Sequence, residues 1–67
     1  METRICAALD PVPAGLRRYR VRGIHAGRRL ELLYILAARQ ADAETVYLEQ
    51  LGLVAADVQL IVGVTPN

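Results

Sequence analysis

The chain has 67 residues, 54% of them hydrophobic, with a net charge of +1 and a single cysteine. A chain of this length forms one domain that buries only about 60% of its unfolded surface, and Cys6 alone excludes an internal disulfide. The positive mean hydropathy exceeds what so small a domain hides easily, so a homo-oligomer, with a dimer as the simplest form, or a bound partner is expected.

No run approaches the roughly 20 apolar residues that cross a bilayer. Residues 1–9 also lack the charged-then-apolar pattern of a cleaved leader, so the expected location is the cytoplasm. Thr3 to Leu9 reads as either a short strand or a helical turn. Asp10-Pro11-Val12-Pro13-Ala14-Gly15 ends that element, because the prolines remove donors and hold the chain extended. Residues 1–16 are therefore read as an arm, able to pack on a neighbouring subunit, and residues 17–67 as the folded domain.

The stretch Arg18 to Leu36, RYRVRGIHAGRRLELLYIL, reads as a two-stranded hairpin turning at Ala26-Gly27. A two-residue turn sets Ile24 opposite Arg29, Arg22 opposite Glu31, Val21 opposite Leu32 and Tyr19 opposite Tyr34. One face then collects Tyr19, Val21, Leu30, Leu32 and Tyr34 as core. The other carries Arg18, Arg20, Arg22, Arg29 and Glu31, with Leu33 and Ile35 among them. Ala26 is a poor first residue for so tight a turn.

After the hairpin the apolar period lengthens. Asp42 serves as a helix N-cap or first-turn acid, Glu44 also favours that end, and Gly52 suits the position just past Leu51. The predicted buried face centres on Leu48 and Leu51, with Tyr47 at its margin. Val58, Leu60, Val62 and Val64 then alternate with more mixed positions, giving a last strand. The expected elements are strands near 17–24, 29–38 and 56–64 with a helix near 41–51. The fold class is α+β, a small ββαβ domain with a three-stranded sheet and one helix packed on one face. The last strand should run parallel to the second through a right-handed crossover; its sheet neighbour is left open by the sequence. The face away from the helix should lack cover, and Leu33, Ile35 and Ile61 projecting from it form the expected dimer interface.

Charge is unevenly placed along the chain. Arg17, Arg18, Arg20, Arg22, Arg28 and Arg29 fall between residues 17 and 29 with no acid among them, whereas beyond residue 30 only Arg39 stands against Glu31, Asp42, Glu44, Glu49 and Asp57. Arginine makes bidentate contacts with phosphate and carboxylate. Arg18, Arg20, Arg22, Arg28 and Arg29 are thus the candidate residues for an anionic partner, either nucleic acid or an acidic protein. The plainer alternative is a solvated strand face whose counter-charge lies in the acidic half of the chain.

Catalytic patterns are sparse. Serine and lysine are absent from the sequence, and the one histidine, His25, sits at the hairpin tip. His25 beside Arg28 and Arg29 has the residue types for acid–base work on a phosphodiester, but a polar turn residue in water is the simpler reading. One His, one Cys and scattered acids make no metal-ligand set, and no glycine-rich phosphate loop is present. The expectation is a binding or assembly module with no cofactor and no metal.

Two resemblances accompany this reading. Tyr19-Arg20-Val21-Arg22, a short turn, a strand, then Ala41-Asp42-Ala43-Glu44 and Leu51-Gly52-Leu53 before a valine-rich strand resemble the small strand-strand-helix-strand modules of type II secretion platform proteins, over roughly residues 19 to 62. That resemblance implies a purely structural assembly domain. Arg18 to Leu36 also resembles the strands of RelE-type ribonuclease toxins, which implies arginines on a sheet touching RNA. The two N-terminal helices of that family have no counterpart here.

Overall fold

The computed structural model describes residues 2–66. Within them the chain forms β1 (Arg4–Cys6), β2 (Arg17–His25), β3 (Arg28–Ala37), α1 (Gln40–Leu51), a 3-10 turn (Ala55–Asp57) and β4 (Gln59–Val64). The strands make one sheet in the order β1-β3-β2-β4, with every neighbouring pair antiparallel. Helix α1 packs on β2, β3 and β4. The α+β class with one helix is as expected, but the sheet has four strands rather than three. The added strand, β1, comes from the stretch read as an arm, where Thr3 to Leu9 leaves a short strand or a helical turn open, and three residues are too few for alternation to decide between them. β4, whose neighbour was open, pairs with β2.

The turn residues Ala26 and Gly27 both have positive φ, 51° and 76°. That is the geometry whose twist matches the flanking strands. His25 faces Arg28 and Ile24 faces Arg29, as the sequence predicts. The ladder then slips: Leu30 and Glu31 together face Gly23, and Arg22 pairs with Leu32, Val21 with Leu33, Arg20 with Tyr34 and Tyr19 with Ile35. One extra residue in a strand sends every later side chain to the opposite face.

Several expectations are corrected by this bulge. Leu33 and Ile35, placed on the arginine face and assigned to a dimer interface, instead lie under α1; Ile35 is fully buried and Leu33 packs against the core. Leu32 and Tyr34, expected in the core, share the open face with Arg20 and Arg22. The expected Arg22–Glu31 cross-strand pair does not form, because Leu32 occupies the position opposite Arg22. Ile61 remains on the open face, opposite Arg22, and is 53% exposed.

The core is Tyr19, Val21, Ile35 and Ala37 from the sheet against Ala43 and Tyr47 from α1. Burying a large apolar side chain contributes about 1.5–3 kcal/mol, so this cluster supplies much of the driving force. The helix presents Ala43, Tyr47 and Leu51 at i, i+4 spacing, so Tyr47, not Leu48, is the centre of its buried face. It ends where Gly52 turns left-handed (φ 66°): the Gly52 N–H donates to Glu49 O at 3.3 Å and the Leu53 N–H to Leu48 O at 2.9 Å. That closure folds Leu53 back onto the core. Among the described residues no helix is long and apolar enough to cross a membrane.

Because β3 lies between β1 and β2, the connection joining those two strands must cross β3. It crosses on the face away from α1. Arg18 Nη1 donates to the Asp10 carbonyl of this connection at 2.6 Å. Leu36, in register with Arg18 and Arg4 and hence on that same face, is only 1% exposed although no helix lies there. The open face is therefore covered at the Arg18 end by the chain's own residues 7–16. It stays open from Arg20 to Arg29.

Candidate anion-binding face

Alternation along β2 puts Arg18, Arg20 and Arg22 on the open face, and the structure separates their roles. Arg18 is buried, with its Nε donating to Thr65 Oγ1 at 2.8 Å, Nη1 to Asp10 O, and Nη2 to Pro66 O at 3.0 Å. It clamps the β1–β2 connection to the tail that follows β4. Its guanidinium is engaged within the fold, which sets it apart from the other arginines expected to meet an anion.

Arg20, Arg22 and Arg29 line one concavity of about 750 Å³ with Ile24, Leu32 and Ile61. The bulge brings this about: Leu32 enters the face because the register slips between Arg22 and Ile24, while Arg29 stays opposite Ile24 on the near side of the slip. Arg28 lies outside the concavity, exposed at the hairpin tip across from His25. Five predicted arginines thus resolve into three in the concavity, one structural clamp and one at the tip.

The electrostatics of this face are one-sided. Among the described residues the ion pairs are Arg4 with Glu2 at 3.6 Å and Arg39 with Asp42 at 3.8 Å, neither involving the concavity. Asp42, Glu44 and Glu49 belong to α1, on the far side of the sheet. Arg22 Nε is buried and has no hydrogen-bond partner among the described residues. A buried donor without an acceptor costs about 1–3 kcal/mol.

Tyr34 is the functional candidate that the sequence reading missed. It lies half-buried on the open face, in register with Arg20 on one side and Cys6 of β1 on the other. The available signal was the unbroken apolar run Leu32 to Leu36, which fits either alternation and so leaves open which members face outward. Cys6 shares that face, and its thiol is pushed up from the ordinary cysteine value by burial first and by the Asp10 carboxylate second. The thiol, not the thiolate, is its prevailing form near neutrality. His25 is exposed at the tip, and among the described residues no three metal-ligating side chains come together.

The geometry defines a small α+β domain with a helix on one side of a four-stranded antiparallel sheet and an arginine-lined concavity on the other. Comparison with protein-family models, with curated proteins and with solved structures gives no match to this chain.

Proposed function

We propose that this chain is a non-catalytic, self-associating cytoplasmic module that binds single-stranded nucleic acid on its open sheet face. The observation that carries the reading is the concavity in which Arg20, Arg22 and Arg29 converge on an apolar floor with no carboxylate among the described lining residues. Phosphates meet the guanidinium groups, which bind them bidentately. Bases meet Leu32, Ile61 and the ring of Tyr34, since base–aromatic and arginine stacking tolerate any sequence. A duplex presents its bases stacked inside, so a flat sheet with an apolar floor favours an unpaired strand.

Titration of a labelled oligouridylate or oligothymidylate at two salt concentrations tests the reading. About three phosphate contacts on a single strand give a log–log salt slope near −2, or roughly a 20-fold loss of affinity between 50 and 200 mM salt. Arg20→Glu combined with Arg22→Glu should abolish binding; Arg20 is exposed and contributes little to stability, whereas Arg22 is half-buried, so circular dichroism of the variant checks that it remains folded. Salt-insensitive binding, or binding that survives the double substitution, overturns the reading. Tighter binding of poly-glutamate than of the oligonucleotide would move the assignment to an acidic protein partner, and turnover of the RNA would make the chain a nuclease.

A further inference from the structure

We propose that a second copy of this chain pairs antiparallel along the free edge of β4, about a two-fold axis at Val62, to give one continuous eight-stranded sheet. The pairing stands on the edge alone; its consequence for nucleic acid rests on the function proposed above.

The backbone of β4 is unpaired along one side. β4 is the outermost strand on its side of the sheet. The Thr65 N–H donates to Arg18 O at 2.9 Å, continuing the β2–β4 register. By the alternation of an antiparallel ladder, Gly63 and Ile61 also direct their amides to β2, and Leu60, Val62 and Val64 direct theirs outward. Three N–H and three C=O groups thus line the free edge. The strand QLIVGV contains no charge and no proline, the usual devices that prevent such an edge from pairing. The opposite edge, β1, is only three residues long and carries Arg4, which is paired with Glu2.

The side chains of this edge fit a second copy. Centring the pair on Val62 sets Ile61 opposite Gly63 of the second copy and Leu60 opposite Val64. Ile61 and Val64 are 53% and 55% exposed, so both have apolar surface left to cover. A Cβ built on Gly63 meets nothing within 4 Å. Bare backbone inside a strand marks a place where another chain can approach closely, and here it leaves a gap that Ile61 of the other copy fills. The two-fold repeats this knob and gap on both sides of the axis, as a self-complementary interface requires.

Charge opposes the face-to-face alternative. Stacking two open faces would set Arg20, Arg22 and Arg29 against their own copies, and juxtaposed like charges oppose association. Edge pairing leaves all six free. Since Ile61 belongs both to the concavity and to the edge strand, the two concavities meet at the axis and become one trough lined by six arginines.

Sedimentation equilibrium without nucleic acid tests the pairing. The wild-type chain should run at twice 7.4 kDa at high micromolar concentration, and Val62→Pro, which removes an outward amide at the centre, should run at once that mass with its circular dichroism retained. Arg20→Glu with Arg22→Glu should remain dimeric. On the wild type, amide exchange at Leu60, Val62 and Val64 should slow at least tenfold as concentration rises, while Ile61 and Gly63 do not change. This second readout decides the matter even if the proline variant fails to fold. A monomer at several hundred micromolar, or outward amides indifferent to concentration, overturns the proposal. A dimer that ignores oligonucleotides upholds the edge pairing and fells only the nucleic-acid reading.

Discussion

The hydroxyl of Tyr47 reaches across the core to accept the amide hydrogen of Gly23 at 2.8 Å, and it donates in turn to the carbonyl of Glu31 at 2.5 Å. Those are the two backbone groups that the bulge withdraws from the β2–β3 ladder. A single helical side chain therefore satisfies a break in the sheet. Tyr47→Phe keeps the ring and removes the bridge, and leaving buried backbone groups unsatisfied costs about 1–3 kcal/mol. Urea denaturation measures this; a loss under about 0.5 kcal/mol would show that the hydroxyl is dispensable to the bulge.

Gly23 has a second constraint. A Cβ there would stand 3.0 Å from Val58 Cγ2, 3.1 Å from Tyr47 Cε2 and 3.2 Å from Leu30 Cδ1. Three side chains hem in the same point, so all three must shift to admit the added carbon. Gly23→Ala should destabilise by about 1–3 kcal/mol through overpacking. Gly63→Ala, where the added carbon meets open space, should change the stability of the dilute protein little.

Arg18 and Arg20 are two residues apart on one strand face, yet they should respond oppositely to substitution. Arg18→Met strands the Asp10 and Pro66 carbonyls and frees both the β1–β2 connection and the C-terminal tail. Charge-assisted hydrogen bonds contribute about 1.5–3 kcal/mol, so a loss of that order is expected in thermal or urea melts. Arg20→Met is exposed and should stay within about 0.5 kcal/mol, while weakening oligonucleotide binding. Equal stability losses would contradict this division of roles.

The hairpin tip holds a residue out of its preferred region. Ala26 has φ 51°, where an L side chain bearing a Cβ is disfavoured and asparagine is better tolerated. Ala26→Asn gives the Asn-Gly pair that this turn favours. It should raise stability by about 0.5–1 kcal/mol, read as a higher urea midpoint with an unchanged slope. An unchanged midpoint would mean that the Ala26 conformation costs nothing.

Cys6 provides a pH-dependent readout. Burial and the Asp10 carboxylate both disfavour the thiolate, so its folded pKa lies above the ordinary value. The thiolate is the reactive species. Alkylation by iodoacetamide at pH 8 should therefore be slower than that of free cysteine, and the rate–pH curve should be displaced to higher pH. Asp10→Asn removes the smaller of the two raising effects and should move the curve part of the way back. A curve coinciding with that of free cysteine would show Cys6 to be solvated.

Sequence alone settled the α+β class, the hairpin with its turn at Ala26-Gly27, the helix ended by Gly52 and the valine-rich last strand. It did so because each rests on local chemistry: turn geometry, a left-handed glycine and the change of apolar period from two to nearly four. It also placed arginines at alternate positions of β2, where polar and apolar residues alternate plainly. It could not determine the faces of β3. Leu32 to Leu36 are apolar at every position, so both registers bury an acceptable set, and one inserted residue exchanges Leu32 and Tyr34 for Leu33 and Ile35. That choice is made by partners distant in sequence: the Tyr47 hydroxyl bridging Gly23 and Glu31, and the space beside Gly23 that Val58 and Leu30 fill. Arg18 became a clamp for the same reason, since its acceptors on Asp10, Thr65 and Pro66 gather only when both ends of the chain fold onto one strand.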